Sequence, residues 1–138
     1  MREILFRGKR VDNGEWVYGF LSKSRDVKGK LSYCIDYEEK GVMCSSIVLP
    51  ETVGQYIGFT DEDGIKIFEG DIIAMQLNCA GISKSVIEYE CGAFVRNIGE
   101  QRKYRFEGGS HSYIIGNIHD NPELLEGVGN EVNNNESN

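Results

Sequence analysis

Residues 50–72 read Pro50-Glu51-Thr52-Val53-Gly54-Gln55-Tyr56-Ile57-Gly58-Phe59-Thr60-Asp61-Glu62-Asp63-Gly64-Ile65-Lys66-Ile67-Phe68-Glu69-Gly70-Asp71-Ile72. Pro50 to Val53 breaks any strand, Gln55 to Phe59 is rich in strand-forming residues, and Thr60-Asp61-Glu62-Asp63-Gly64 has the chemistry of a turn. Ile65 to Phe68 supplies the returning strand, and Glu69-Gly70-Asp71 bends the chain into the apolar run Ile72 to Leu77. Punctuation this dense leaves room for short antiparallel strands and none for a long helix.

The pattern extends toward the amino end. Glu3 to Arg7 and Glu15 to Ser22 flank Val11-Asp12-Asn13-Gly14, whose Asn-Gly pair predicts a tight hairpin turn. In the second of these strands Trp16, Tyr18 and Phe20 share one face, while Glu15, Val17, Gly19 and Leu21 share the other, and the aromatic face is the expected core. Lys23 to Lys30 reads as an exposed polar loop. Leu31 to Tyr37 and Val42 to Val48 flank Glu38-Glu39-Lys40-Gly41, a second hairpin that sets Cys34 roughly opposite Cys44.

Toward the carboxyl end, Ser83 to Glu90 alternates and Cys91-Gly92 separates it from Ala93 to Ile98. Ile72 to Ile98 thus reads as three successive antiparallel strands. Tyr104 and Phe106 alternate within the charged segment Gln101 to Glu107, a turn precedes Tyr113-Ile114-Ile115, and Asn117 to Pro122 bends again. Glu123 to Glu126 suffices for one helical turn at most, and Gly127 to Asn138 has the composition of a disordered tail. The expected fold is therefore mainly β, with α+β the alternative. It comprises one domain over residues 1–126, with an amino-terminal hairpin layer and a small barrel-like unit from about Gln55 to Ile98.

The 138 residues carry 15 Lys+Arg against 22 Asp+Glu, a net charge of −7, and 40% are hydrophobic. This supports one modest core and opposes bulk affinity for nucleic acid or anionic membrane. Residues 1–30 nevertheless hold eight bases and four acids, so a basic amino end precedes an acidic body. Head-to-tail self-association follows as one option. No stretch reaches the ~18 apolar residues of a membrane span, and charge interrupts Met1 to Arg7 before a signal-peptide core forms. A cytosolic location without membrane association is expected. Cys34, Cys44, Cys79 and Cys91 are too few for a disulfide scaffold and lack zinc-ligand spacing.

Candidate sites are few. Asp61, Asp63, Glu69 and Asp71 cluster carboxylates as a hard cation requires. Aligning Gly64 with the glycine of an EF-hand loop, however, puts Phe59 and Gly70 where oxygen ligands belong. The same residues could bind a partner, or simply bond turn amides. His111 and His119 have hydroxyl and carboxyl neighbours but no triad spacing, and the glycines match no phosphate-binding loop. Arg96, Arg102, Lys103, Tyr104 and Arg105 interleave cations with an aromatic ring, the pattern of a single-stranded nucleic-acid strip. No catalytic residue, metal or cofactor is expected.

Several phrases together resemble the YopX protein family: Arg2-Glu3-Ile4-Leu5-Phe6-Arg7-Gly8-Lys9, Asn13-Gly14-Glu15-Trp16-Val17-Tyr18-Gly19, Pro50 to Asp61 followed by Gly64 to Ile72, and Ile114-Ile115-Gly116-Asn117-Ile118-His119-Asp120-Asn121-Pro122-Glu123-Leu124-Leu125. The resemblance spans about residues 2 to 126. It implies a small bacteriophage or prophage protein of the bacterial host cytoplasm with no established activity, of a kind that often binds a host protein, another phage protein or a nucleic-acid intermediate. The expected function is a non-enzymatic binding module for another protein or for itself, with Trp16, Tyr18 and the acidic turn as contact residues. The alternatives are a single-stranded nucleic-acid binder and, behind it, a metal-assisted hydrolase at Asp61, Asp63, Glu69 and Asp71.

Overall fold

A computed structural model describes residues 1–77, 81–99, 102–108 and 111–127. Cys79 and most of the tail from residue 127 onward lie outside these described residues. The chain divides into two compact units, Met1–Gly58 and the remainder from Phe59.

In the first unit, β1 (Phe6–Lys9) and β2 (Trp16–Arg25) form the expected hairpin, with Lys9 opposite Trp16 and Phe6 opposite Gly19. Its turn closes through the Gly14 amide to the Arg10 carbonyl at 2.9 Å, with Gly14 at φ 73°. β3 (Leu31–Glu39), β4 (Val42–Ile47) and the start of β5 (Gly54–Thr60) complete an antiparallel sheet ordered β4-β3-β2-β1-β5. Between β4 and β5, a 3-10 turn at Pro50–Thr52 replaces strand where proline removes a donor. Buried Thr52 ties it down: its hydroxyl accepts the Lys9 amide at 2.9 Å and donates to the Leu49 carbonyl at 2.6 Å.

Two expectations change here. Lys23 to Arg25 are strand, not loop, pairing with Tyr33, Ser32 and Leu31. The polar stretch is consistent with strand because Lys23 lies over the Tyr33 ring at 5.5 Å, and only Asp26–Lys30 loops out. The Asp26 carboxylate organises that loop by accepting the Lys28 and Lys30 amides, both at 2.9 Å. Cys34 pairs with Ile47 and Cys44 with Tyr37, so the two thiols are out of register and on opposite faces.

In the second unit the end of β5 turns at Asp61–Gly64 and returns as β6 (Lys66–Phe68). β7 (Asp71–Leu77), β8 (Gly81–Glu90), β9 (Ala93–Asn97), β10 (Lys103–Arg105) and β11 (Ser112–Asn117) form a sheet ordered β10-β9-β8-β7-β11. Ile67, Phe68, Ile72, Ile73, Val86, Ile87 and Val95 make its core. The Ile72 to Ile98 meander is as expected, but no closed barrel forms among the described strands. β11 takes the free edge of β7 instead, a long-range choice that alternation within a strand does not encode. A bulge at Ile114/Gly116 bends β11 into a 3-10 turn at Pro122–Gly127. A Cβ on Gly116 would lie 2.5 Å from Asn121 Oδ1 and so displace the side chain that accepts the Asn117 amide.

Among the described residues, no helix is long and apolar enough to cross a membrane.

Candidate functional site

The acidic turn is held by its own backbone. Asp61 is 6% exposed; its Oδ1 accepts the amides of Asp63 at 2.9 Å and Ile65 at 3.0 Å, and its Oδ2 accepts the amide of Ile114 at 3.1 Å. Asp71 is 2% exposed and accepts the Phe68 amide at 2.8 Å. Both carboxylates thus serve turn amides, which leaves Asp63 exposed and Glu69 half-buried beside them. Glu62 donates its amide to the Ser112 carbonyl at 3.0 Å and accepts the His111 amide with its carboxylate, while His111 Nδ1 lies 3.7 Å away. Among the described residues, no group of three or more His, Cys, Asp or Glu side chains is arranged to hold a metal ion.

The aromatic face of β2 points the other way from expectation. Tyr18 is 47% and Phe20 63% exposed, and Trp16 is half-buried with the Arg7 guanidinium 4.5 Å and the Lys9 ammonium 5.6 Å from its ring. On the reverse parity Val17 and Leu21 are half-buried and Gly19 is buried, its backbone close against a neighbouring backbone: a Cβ on it would sit 2.0 Å from the Asp36 carbonyl oxygen. Packing that close makes the glycine side, together with Ile35, the inner one. Strand register carries the outer face across β3 to Asp36 and Glu38, and across β4 to Met43, Ser45 and Ile47. Met43 and Ile47 are exposed as well, so on this face the exposed apolar residues of β2 and of β4 flank Asp36 and Glu38 of β3. Phe20, Met43 and Ile47 escape sequence reasoning because alternation fixes which residues share a face and leaves open which face is buried.

Beside β4, Arg10, Val11, Asp12, Ser45, Ser46 and Ile47 line a notch of 270 Å³. It falls just short of the ~300–1,000 Å³ of ordinary ligand pockets. Its charged groups also satisfy each other, with Arg10 donating to Asp12 at 2.8 and 3.0 Å. The Arg10 side-chain hydrogen bond holds the Asp12 carboxyl below its ordinary value.

The basic strip divides between two faces of its sheet. Arg96 and Tyr104 are paired across β9 and β10, with the guanidinium 5.3 Å from the ring. Lys103 has the opposite parity and reaches Glu90 at 3.0 Å and Glu88 at 3.3 Å. Hydrogen bonds to Glu90 and then Glu88 raise its pKa. Arg105 shares its parity with Lys103, and Arg102 precedes β10 and is exposed. Tyr89 and Phe94, a T-shaped pair at 5.1 Å that residue types alone did not single out, lie on the Arg96 face.

The family model described as YopX protein matches residues 5–126. The chain belongs to the YopX protein family. Two solved structures share the YopX fold seen here. Protein EF1440 from Enterococcus faecalis is 22% identical, covering 91% of this chain and 99% of its own, with a TM-score of 0.54. Protein yopX from Bacillus subtilis is 17% identical, covering 93% and 99%, with a TM-score of 0.55. No curated protein matches the chain. The last YopX phrase begins in β11 and ends in a turn: Asn117 Oδ1 accepts the His119 and Asp120 amides, and the Asn121 amide donates to the Asn117 carbonyl.

Proposed function

We propose that this YopX protein is a phage- or prophage-encoded accessory protein of the bacterial cytoplasm, a non-enzymatic module that engages another protein, or a second copy of itself, through the outer face of β2. The observation that carries this reading is the exposure of Tyr18 and Phe20 beside a half-buried Trp16. Aromatic side chains held on a rigid strand lose little entropy on docking, and such residues supply most of the energy at protein interfaces. Half-buried Lys9 lies beside the Trp16 ring, against which Arg7 is buried, so an acidic partner surface complements the Lys9 end. β4 adds a second element, an edge strand with no charged residue, which suits strand addition.

The test is capture from bacterial lysate on tagged protein, with and without nuclease, comparing the natural chain with Tyr18→Ala/Phe20→Ala. A stoichiometric, nuclease-resistant partner that the double variant loses while keeping its thermal unfolding profile supports the reading. Sedimentation velocity of the same two proteins reads self-association. Partner capture and self-association both unchanged in the variant overturn it.

A further inference from the structure

We infer that the outer end of the β8–β9–β10 face is a base-stacking platform for single-stranded nucleic acid. It is a surface separate from β2, so this inference goes beyond the protein-binding reading and stands or falls without it.

Register assembles the platform. Tyr89 lies opposite Phe94, and Arg96 lies between Ile87 and Tyr104, so Tyr89, Phe94, Arg96 and Tyr104 project from one face of three adjacent strands. Inward on this face, Ser85, Ile87 and Ile73 are buried core, whereas outward Tyr89 is 57% and Tyr104 48% exposed. A π-face accepts any base, and Arg96 over Tyr104 adds a flat cation that both stacks and meets phosphate. Exposed Arg102 supplies a further cation at the start of β10, while Arg105 belongs to the reverse face.

Charge complementarity selects the occupant. An acidic protein of net charge −7 ordinarily repels phosphate, and Glu88 and Glu90 are the nearby strand carboxylates that would do so. Both have the reverse parity and are bound there by Lys103, with Asn97 Nδ2 donating to Glu88 at 2.9 Å. The aromatic face of these three strands therefore carries Arg96 and no carboxylate. Exposed rings on β8 and β10, with half-buried Phe94 and the Arg96 guanidinium on β9 between them and no acid, fit an unstacked strand of bases. A duplex hides its base faces and gains nothing from the rings.

The experiment is fluorescence anisotropy of the full chain with labelled oligo-dT and oligo-U of about 12 nucleotides. The expected result is binding that weakens between about 50 and 200 mM salt. Tyr89→Ala and Tyr104→Ala should each weaken it about 5- to 150-fold. Arg96→Glu is the second variant, should removal of a ring disturb β10, and Tyr18→Ala/Phe20→Ala should bind as the natural chain does. No binding at low salt overturns the inference. So does binding that folded Tyr89→Ala and Arg96→Glu variants retain, or affinity for a duplex of equal length that matches the single strand.

Discussion

One carboxylate oxygen of Asp61 accepts the amide of Ile114, 53 residues further along the chain, while the other holds the turn that Asp61 itself begins. This single buried side chain ties the strongest family phrase to the last strand of the sheet. Its partner in the same task is Glu62, whose amide meets the Ser112 carbonyl. Together they cover the outer edge of β11, where exposed amides would otherwise invite another strand.

Asp61→Ala leaves three amides without their acceptor, each a charge-assisted bond while it lasts. The expected loss is about 2–4 kcal/mol, read as a lower midpoint in urea unfolding. Asp61→Asn keeps an oxygen for the turn amides and presents a donor to Ile114, so it should lose roughly half as much. Equal stability of all three proteins would refute the clasp.

Gly19 and Gly8 differ in what stands opposite them. A methyl group on Gly19 meets the Asp36 carbonyl oxygen at 2.0 Å, a backbone atom that cannot move without separating β2 from β3. Gly19→Ala should destabilise by more than the ~1–3 kcal/mol of ordinary overpacking, or leave the first unit unfolded. A methyl group on Gly8 meets Val48 Cβ and Cγ2 at 3.0 Å, which is side chain. Gly8→Ala should therefore be partly rescued by Val48→Ala, giving a positive coupling in a double-mutant cycle of unfolding free energies.

Two ion pairs set opposite pH signatures. The Asp12 carboxyl is held below its ordinary 3.8 by Arg10, so its contribution to stability is present above that value and lost as pH falls through the depressed one. Lys103 is held above its ordinary 10.5, first by Glu90 and then by Glu88. Its contribution is complete below 10.5 and lost as pH rises through the raised value. Side-chain NMR titration should show Asp12 returning upward in Arg10→Gln and Lys103 returning downward in Glu90→Gln. An unmoved Asp12 or Lys103 in those variants would dissociate the pair from the shift. Both pairs lie at the surface, so their effect on unfolding should be small and screened by salt.

Asn13-Gly14, Pro50 and Asp61 to Gly64 announced their turns because each has a local chemical reason to be one: a positive φ at Gly14 and Gly64, a missing donor at Pro50, and the Asp61 side chain accepting the Asp63 amide. Strand parity was legible for the same reason. What escaped depends on groups distant in sequence. The buried side of β2 is chosen by the Asp36 carbonyl against Gly19, and β11 finds β7 across the whole meander. The basic strip looked continuous because residue types carry no face, and pairing with β9 divides it into Arg96 with Tyr104 on one side and Lys103 with Arg105 on the other. Asp61 and Asp71 had the composition of a cation site and the geometry of turn caps.

Synthesis order gives the Asp61 clasp a temporal side. At about 5–20 residues per second, a ribosome delivers Ile114 roughly 3–10 s after Asp61. Throughout that interval β7 can pair with β8 but has no neighbour on its other side, and Asp61 faces water. A message truncated before Ser112 would make that interval permanent, releasing a product whose β7 edge is a template for aggregation.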